Sequence, residues 1–182
     1  MTSHISAQNL RRFGIHFGGS YPKQSIAIGM NYKIIDELEI EAEIGFYRIN
    51  SRGISLGGKY FYHFENVESR TVVNSISMGA NFEFTTKSSV TYAVENIYKG
   101  RYSLPQGVYL YPNIGYRFYA KADEPDFFIK EAYIFPIIGY RIGFSTLYPV
   151  LDNGVGNANL ENDLFSQINN GLNIRLRVGF VF

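Results

Sequence analysis

Along most of this chain apolar residues recur at every second position. In "SIAIGMNYKI" they are Ile26, Ile28, Met30, Tyr32 and Ile34. In "LEIEAEIGF" they are Leu38, Ile40, Ala42, Ile44 and Phe46, separated by Glu39, Glu41 and Glu43. The same phase continues through Ile54, Leu56, Tyr60, Tyr62 and Phe64, then through Ile76, Met78, Ala80, Phe82 and Phe84. Near the start, Phe13, Ile15 and Phe17 alternate with Arg12, Gly14 and His16; at the end, Leu172, Ile174, Leu176, Val178, Phe180 and Phe182 alternate with residues that include Asn173, Arg175 and Arg177. "VYLYPNIGYRF" and "FFIKEAYIFPIIGYRIGF" follow the pattern less cleanly. A period of two is that of a pleated strand with two unlike faces.

Eight such segments are present, each roughly ten residues or more, the length of a tilted strand that crosses a bilayer and about twice that of an ordinary soluble strand. The connections alternate as well. "GGSYPKQ", "INSRG", "TTKSSVTYAVENIYKGRYSLPQG" and "STLYPVLDNGVGNANLENDLFSQINN" are long or polar, whereas "IDE", "ENVESRTV" and "KADEPD" are shorter. Laid side by side in this order, the outward rings sort to the ends: Phe17, Phe46, Phe82, Phe84 and Phe144 at the loop end, and Tyr32, Tyr62, Phe64, Tyr116, Phe118, Phe128, Phe180 and Phe182 at the turn end. The positions between are mostly aliphatic. Two aromatic belts around an aliphatic band are what a bilayer selects, because amphipathic rings settle at headgroup depth.

Composition sharpens this picture. Fifteen Tyr and fifteen Phe with 18 Gly among 182 residues suit strands and tight turns, and the length suits one domain. A net charge of +1 argues against a nucleic-acid partner held by bulk charge. With no cysteine, a disulfide framework and a thiolate metal site are excluded. No run of about 18 apolar residues marks a spanning helix. The opening "MTSHISAQNLRR" lacks the apolar core of a signal peptide, although "ISAQ" is like the end of one, so a leader removed or truncated before this start is expected.

On these features the chain resembles the small bacterial outer-membrane β-barrels, the class of OmpA-type and OmpX-type domains, from about Leu10 to Phe182. The resemblance implies an all-β fold: a closed, antiparallel, up-and-down transmembrane barrel over residues 10–182, preceded by a disordered remnant over 1–9. Eight strands are expected. Ten are the alternative, because "SSVTYAVENIY" has strand character and "ENVESRTV" is long for a turn. It further implies location in the bacterial outer membrane, contact with its lipid, and recognition of Phe180 and Phe182 by the barrel-assembly machinery during biogenesis.

If the even phase faces lipid, the odd phase points inward. The expected interior is Arg12, His16, Lys33, Glu39, Glu41, Glu43, Lys59, His63, Glu83, Arg117, Arg141, Arg175 and Arg177. An eight-stranded barrel is just wide enough for side chains to fill, and buried charges persist only when paired. An ionic core without an open channel is therefore expected. No catalytic, metal or cofactor site is assigned: His16 and His63 face inward without a nucleophile and an orienting acid in evident reach. The oxygen-rich "GVGNANLENDL" lacks EF-hand spacing and reads as a solvated loop, and "RGISLGGKY" belongs to a strand rather than a phosphate loop.

Pro112 and Pro136 interrupt two strands joined by "KADEPD" and mark a candidate lateral gap, either a bulge in the wall or, by resemblance to palmitoyl-transferring barrels, a lipid entrance. The expected role is structural, adhesive or accessory, exercised through loops 85–107 and 145–170, through which a protein partner would dock. A lipid-modifying enzyme at the proline gap and a soluble lipocalin-like carrier are the alternatives. Deleting Phe182 alone removes at most about 3 kcal/mol of burial. We expect a marked loss of the truncated chain from outer membranes but little loss of refolding yield in detergent; equal membrane levels of both chains would refute a terminal assembly signal.

Overall fold

The computed structural model describes residues 13–21, 23, 25–35, 37–64, 72–94, 97–121 and 128–182. The expected N-terminal remnant, Arg12 and most of the "ENVESRTV" and "KADEPD" turns lie outside them. In chain order the elements are β1 (Phe13–Tyr21), β2 (Ser25–Ile35), β3 (Leu38–Tyr47), β4 (Arg52–Phe64), β5 (Val72–Thr85), β6 (Ser88–Val94), β7 (Ile97–Leu104), β8 (Gly107–Lys121), β9 (Glu131–Gly143), β10 (Val150–Gly154), α1 (Ala158–Ile168) and β11 (Gly171–Val181).

Eight strands close into one antiparallel barrel in the order β1-β11-β9-β8-β5-β4-β3-β2, while β10-β7-β6 form a separate three-stranded sheet. The strand character of "SSVTYAVENIY" is thus real, but that segment builds the outer sheet and the barrel keeps eight strands. Closure is made by β1, which sets Phe17 opposite both Ile28 of β2 and Val178 of β11. The Phe182 amide donates to the Phe13 carbonyl at 2.9 Å, so the last residue ties down the first described one and the barrel closes without a free edge.

Alternation governs the wall. Along β3, Glu39, Glu41 and Glu43 are buried while Ile40, Ile44 and Phe46 are exposed. The cross-strand register keeps each face in phase, with Ile28 opposite Ile44, Ile44 opposite Ile54 and Ile54 opposite Phe84. Rings touch along the turn end, where Tyr62 meets Phe64 at 5.4 Å and Tyr116 meets Phe118 at 4.6 Å between centroids. Phe128 meets Phe182 at 4.9 Å. Phe17, expected at the loop end, instead stands at the middle of β1. Glycines on the inner phase make room for long neighbours: a Cβ on Gly29 would sit 2.5 Å from the His16 ring nitrogen.

The two long connections fold together above the loop end. The stretch read as a solvated loop holds α1, whose N-cap Asn157 accepts the Leu160 amide through its side chain at 3.1 Å. Leu160, Leu164 and Ile168, spaced four apart, bring its apolar face down beside Ile49, Tyr102 and Leu104. Leu164 is 1% exposed, so Leu164→Ala should cost about 3 kcal/mol of cap stability through the cavity it leaves. Faster amide exchange in β7 and α1, with barrel strands still protected, is the expected result.

Candidate functional site

The expected interior residues that are described all face the barrel lumen, and they lie in three layers. At the turn end the Arg117 guanidinium meets both oxygens of Glu39 at 2.5 and 2.8 Å. It is also surrounded by the rings of Phe61, Tyr133 and Phe135, at 4.0, 4.5 and 4.8 Å from their centroids. Asn31 donates to Glu39 at 3.0 Å, and Lys33 to Glu131 at 3.0 Å. His63 is half-buried in the same layer, stacked on Phe61 and hydrogen-bonded to Tyr119 at 3.4 Å.

The middle layer centres on Glu41, which accepts Lys59 at 2.5 Å, Asn81 at 2.6 Å and Arg177 at 2.8 and 3.1 Å. Arg177 also reaches Glu43 at 2.7 Å, and Glu43 meets Arg175 at 3.2 Å and His16 at 3.3 Å. Above them Glu83 holds Arg141 at 2.8 Å, Arg175 at 2.9 Å and the Tyr47 hydroxyl. Arg141 lies 3.4 Å over the Tyr109 ring and Arg175 4.1 Å over Tyr111.

Sequence reading missed Glu131, Asn31, Asn81, Asn113 and the inward rings Phe61, Tyr109, Tyr111, Tyr119, Tyr133 and Phe135. All share the inner phase, so parity alone marked them; sorting rings into outer belts obscured it. Two voids of about 10 Å³ each lie toward the loop end, each about one water in size. Among the described residues the cross-section is otherwise filled by paired charges and rings.

Among the described residues His16 is hydrogen-bonded to Glu43 and His63 to Tyr119. Ser75 stands opposite His63 in the ladder, but its hydroxyl is buried without a hydrogen-bond partner. The acid that His16 meets, Glu43, is itself held by Arg175 and Arg177. Among the described residues no group of three His, Asp or Glu is placed to hold a metal ion. The acids of the long loop are committed elsewhere: Asp152 accepts Ser103 at 2.6 Å, Glu161 accepts Tyr102 at 2.7 Å and Asp163 accepts Gln167 at 2.9 Å.

Pro112 and Pro136 do not face each other. The β8–β9 register pairs Asn113 with Gly139 and Phe118 with Ile134, which sets the two prolines four residues apart along the seam. No pairing is made at Tyr111 and Pro112, nor at Tyr116 and Arg117. The seam thus has two short interruptions with a paired stretch between them, as expected where proline supplies no amide donor.

At the loop end, α1 closes over the lumen. Lys23 donates to the carbonyls of Ser166, Gln167 and Asn169 at 2.6, 2.9 and 2.8 Å, neutralising the free carbonyls of the helix C-terminus. Tyr109 donates to the Ile168 carbonyl at 2.5 Å and Arg141 to that of Gln167 at 3.2 Å. Cap and ionic core are therefore one hydrogen-bonded system. Burial, reinforced by Arg141 and opposed by Glu83, brings the Lys23 ammonium from 10.5 down to about 7.

Removing the carboxylate in Glu41→Ala strands Lys59 and leaves Arg177 with Glu43 alone, and should destabilise the barrel by about 3 kcal/mol in urea titrations; a loss below about 0.5 kcal/mol would mean that water screens them. For Lys23 the sign follows from its lowered value. Between pH 7 and 10.5 the unfolded chain binds a proton that the folded chain does not, so stability should rise with pH across that window and be insensitive to this group below it. Lys23→Met should flatten the rise. Compared with protein-family models, with curated proteins and with solved structures, the chain matches none.

Proposed function

We propose that this chain is an integral outer-membrane barrel that acts through its loop-end cap, as a docking or adhesive platform rather than a channel. One observation carries the reading: the barrel is inside-out relative to a soluble one. Ile26, Ile28, Met30, Ile40, Ile44, Ile54, Leu56, Met78, Phe82, Ile114, Ile138, Leu172, Ile174, Leu176 and Val178 are all exposed, while glutamates and arginines fill the core. So large a continuous apolar surface is far beyond what a soluble monomer leaves in water, and a soluble carrier would need the opposite arrangement. The cap supports the second half of the reading. It is a folded platform on a rigid scaffold, and it exposes Tyr148 against Phe165 together with Val150 and Val155.

The interrupted β8–β9 seam favours one further reading, lateral entry of lipid for modification. It ranks second because the lumen behind the seam is already filled, by the buried cluster of Tyr111, Tyr119, Tyr133, Phe135 and Ile137 packed around Arg117, so the described residues there leave no open slot for an acyl chain. Flotation of the refolded chain with phosphatidylcholine vesicles tests the membrane reading, and a monodisperse monomer in plain buffer would end it. Planar-bilayer recordings should show little conductance, whereas stable porin-like currents would contradict the filled lumen. Altered lipid A in extracts of expressing cells, seen by mass spectrometry, would favour the enzyme.

A further inference from the structure

The outward phase of the wall is apolar along most of its length, broken by Asn74 at the turn end and by a cation at the loop end. Arg52 opens β4 opposite Phe46 and takes the outward phase of Ile54 and Leu56, and its side chain is exposed. Its backbone is held on both sides: the Thr86 amide donates to the Arg52 carbonyl at 2.8 Å and the Arg52 amide to the Thr86 hydroxyl at 3.2 Å. That contact brings the next residue, exposed Lys87, to the same rim. Exposed Arg48 lies across the β3–β4 turn, which is closed by the Tyr47 amide on the Ser51 carbonyl at 2.9 Å.

Among the described residues no carboxylate lies in ion-pair range of Arg52 or Lys87. Asp152, Glu161 and Asp163 of the cap are bonded to Ser103, Tyr102 and Gln167, and Glu39, Glu41, Glu43 and Glu83 of the wall point inward. Directly below the cations the wall presents Phe46, Ile54 and Phe84, all exposed. Cations above an apolar strip match an amphiphile with an anionic head. A guanidinium meets a phosphate with two parallel hydrogen bonds, and a nearby ammonium adds a point charge. Such attraction fades within a Debye length, so the anion must lie against the wall itself.

We propose that Arg52 and Lys87, flanked by Arg48, bind the phosphate-bearing headgroup of a lipid in the leaflet at the loop end, with its acyl chains on Phe46, Ile54 and Phe84. This rests on the membrane-barrel reading. The site selects phosphate that is tethered to a chain, because much of its contact surface is the apolar strip.

The test uses the full chain refolded in lauryldimethylamine oxide micelles, with tetradecyl phosphate as probe and amide shifts around Phe46, Arg52 and Phe84 as readout. Arg52→Gln and Lys87→Gln should each weaken binding about fivefold and the pair about 25-fold, the scale for losing one and two surface cations. Lys99→Gln, on the outer sheet, should change nothing. Equal affinity of the double variant and the wild type would overturn the proposal, as would equal affinity for tetradecylphosphocholine. Competition by inorganic phosphate at the same concentration would make this an ion site and overturn the lipid assignment. Insertion into phosphatidylcholine vesicles is a separate arm: failure there overturns the membrane reading, whereas insertion with no headgroup preference overturns only this inference.

Discussion

Pairing of buried charge inside the lumen is the constraint on which the rest of the structure depends. Glu39, Glu41 and Glu43 project from one strand, two residues apart, into a space that water barely enters. Three carboxylates so placed repel one another and lose their hydration, and only a dense set of cations offsets that cost. The cations come from β4, β8 and β11: Lys59, Arg117, Arg175 and Arg177. Each pair spans the lumen or joins neighbouring strands, so the ionic network also fixes which strands oppose which. Register is then doubly specified, since a slip by one residue would turn glutamates to the apolar face and isoleucines into the charged one.

Arginine serves this network better than lysine would. Arg117, Arg141 and Arg175 each lie over aromatic rings while binding a carboxylate edge-on, which a point-like ammonium cannot do. The inward tyrosines and phenylalanines thereby fill volume that charges alone would leave as voids. Hydrogen bonding continues upward without a break, from Glu83 through Arg141 to the Gln167 carbonyl and so to α1. The cap is held in place by the same groups that neutralise the core. A platform coupled in this way gives a docking surface little freedom to drift, which is the property the proposed role requires.

The outer surface follows a simpler rule. Between the rims the wall offers mostly apolar side chains, so in the proposed bilayer setting it is nearly featureless to lipid tails, and discrimination is left to the ends. The charge at Arg52 and the aromatic pair Tyr148 and Phe165 mark two different surfaces there, one along the wall and one on the cap.

Much of this was legible in the chain. A period of two has one geometric meaning, and eight repeats of it with alternating connection lengths favoured eight strands and set their direction, while the strand character of "SSVTYAVENIY" left ten open until the structure sent that segment to the outer sheet. Parity assigned Glu39, Glu41, Glu43, Arg175 and Arg177 to the lumen. It could not say that Arg177 bridges Glu41 and Glu43 or that Lys33 takes Glu131, because partners across a barrel are set by shear and tilt, which leave no trace in local spacing. The cap was harder still. The helical spacing of Leu160, Leu164 and Ile168 was present after Asn157, yet that face has nothing to cover until the other long connection supplies Tyr102 and Leu104 from far along the chain. The sequence by itself determined the strands and their two faces, since a pleat needs only local alternation; the ion pairs, the proline offset and the cap were decided by tertiary structure, because each depends on contacts between segments whose separation in sequence carries no information about their distance in space.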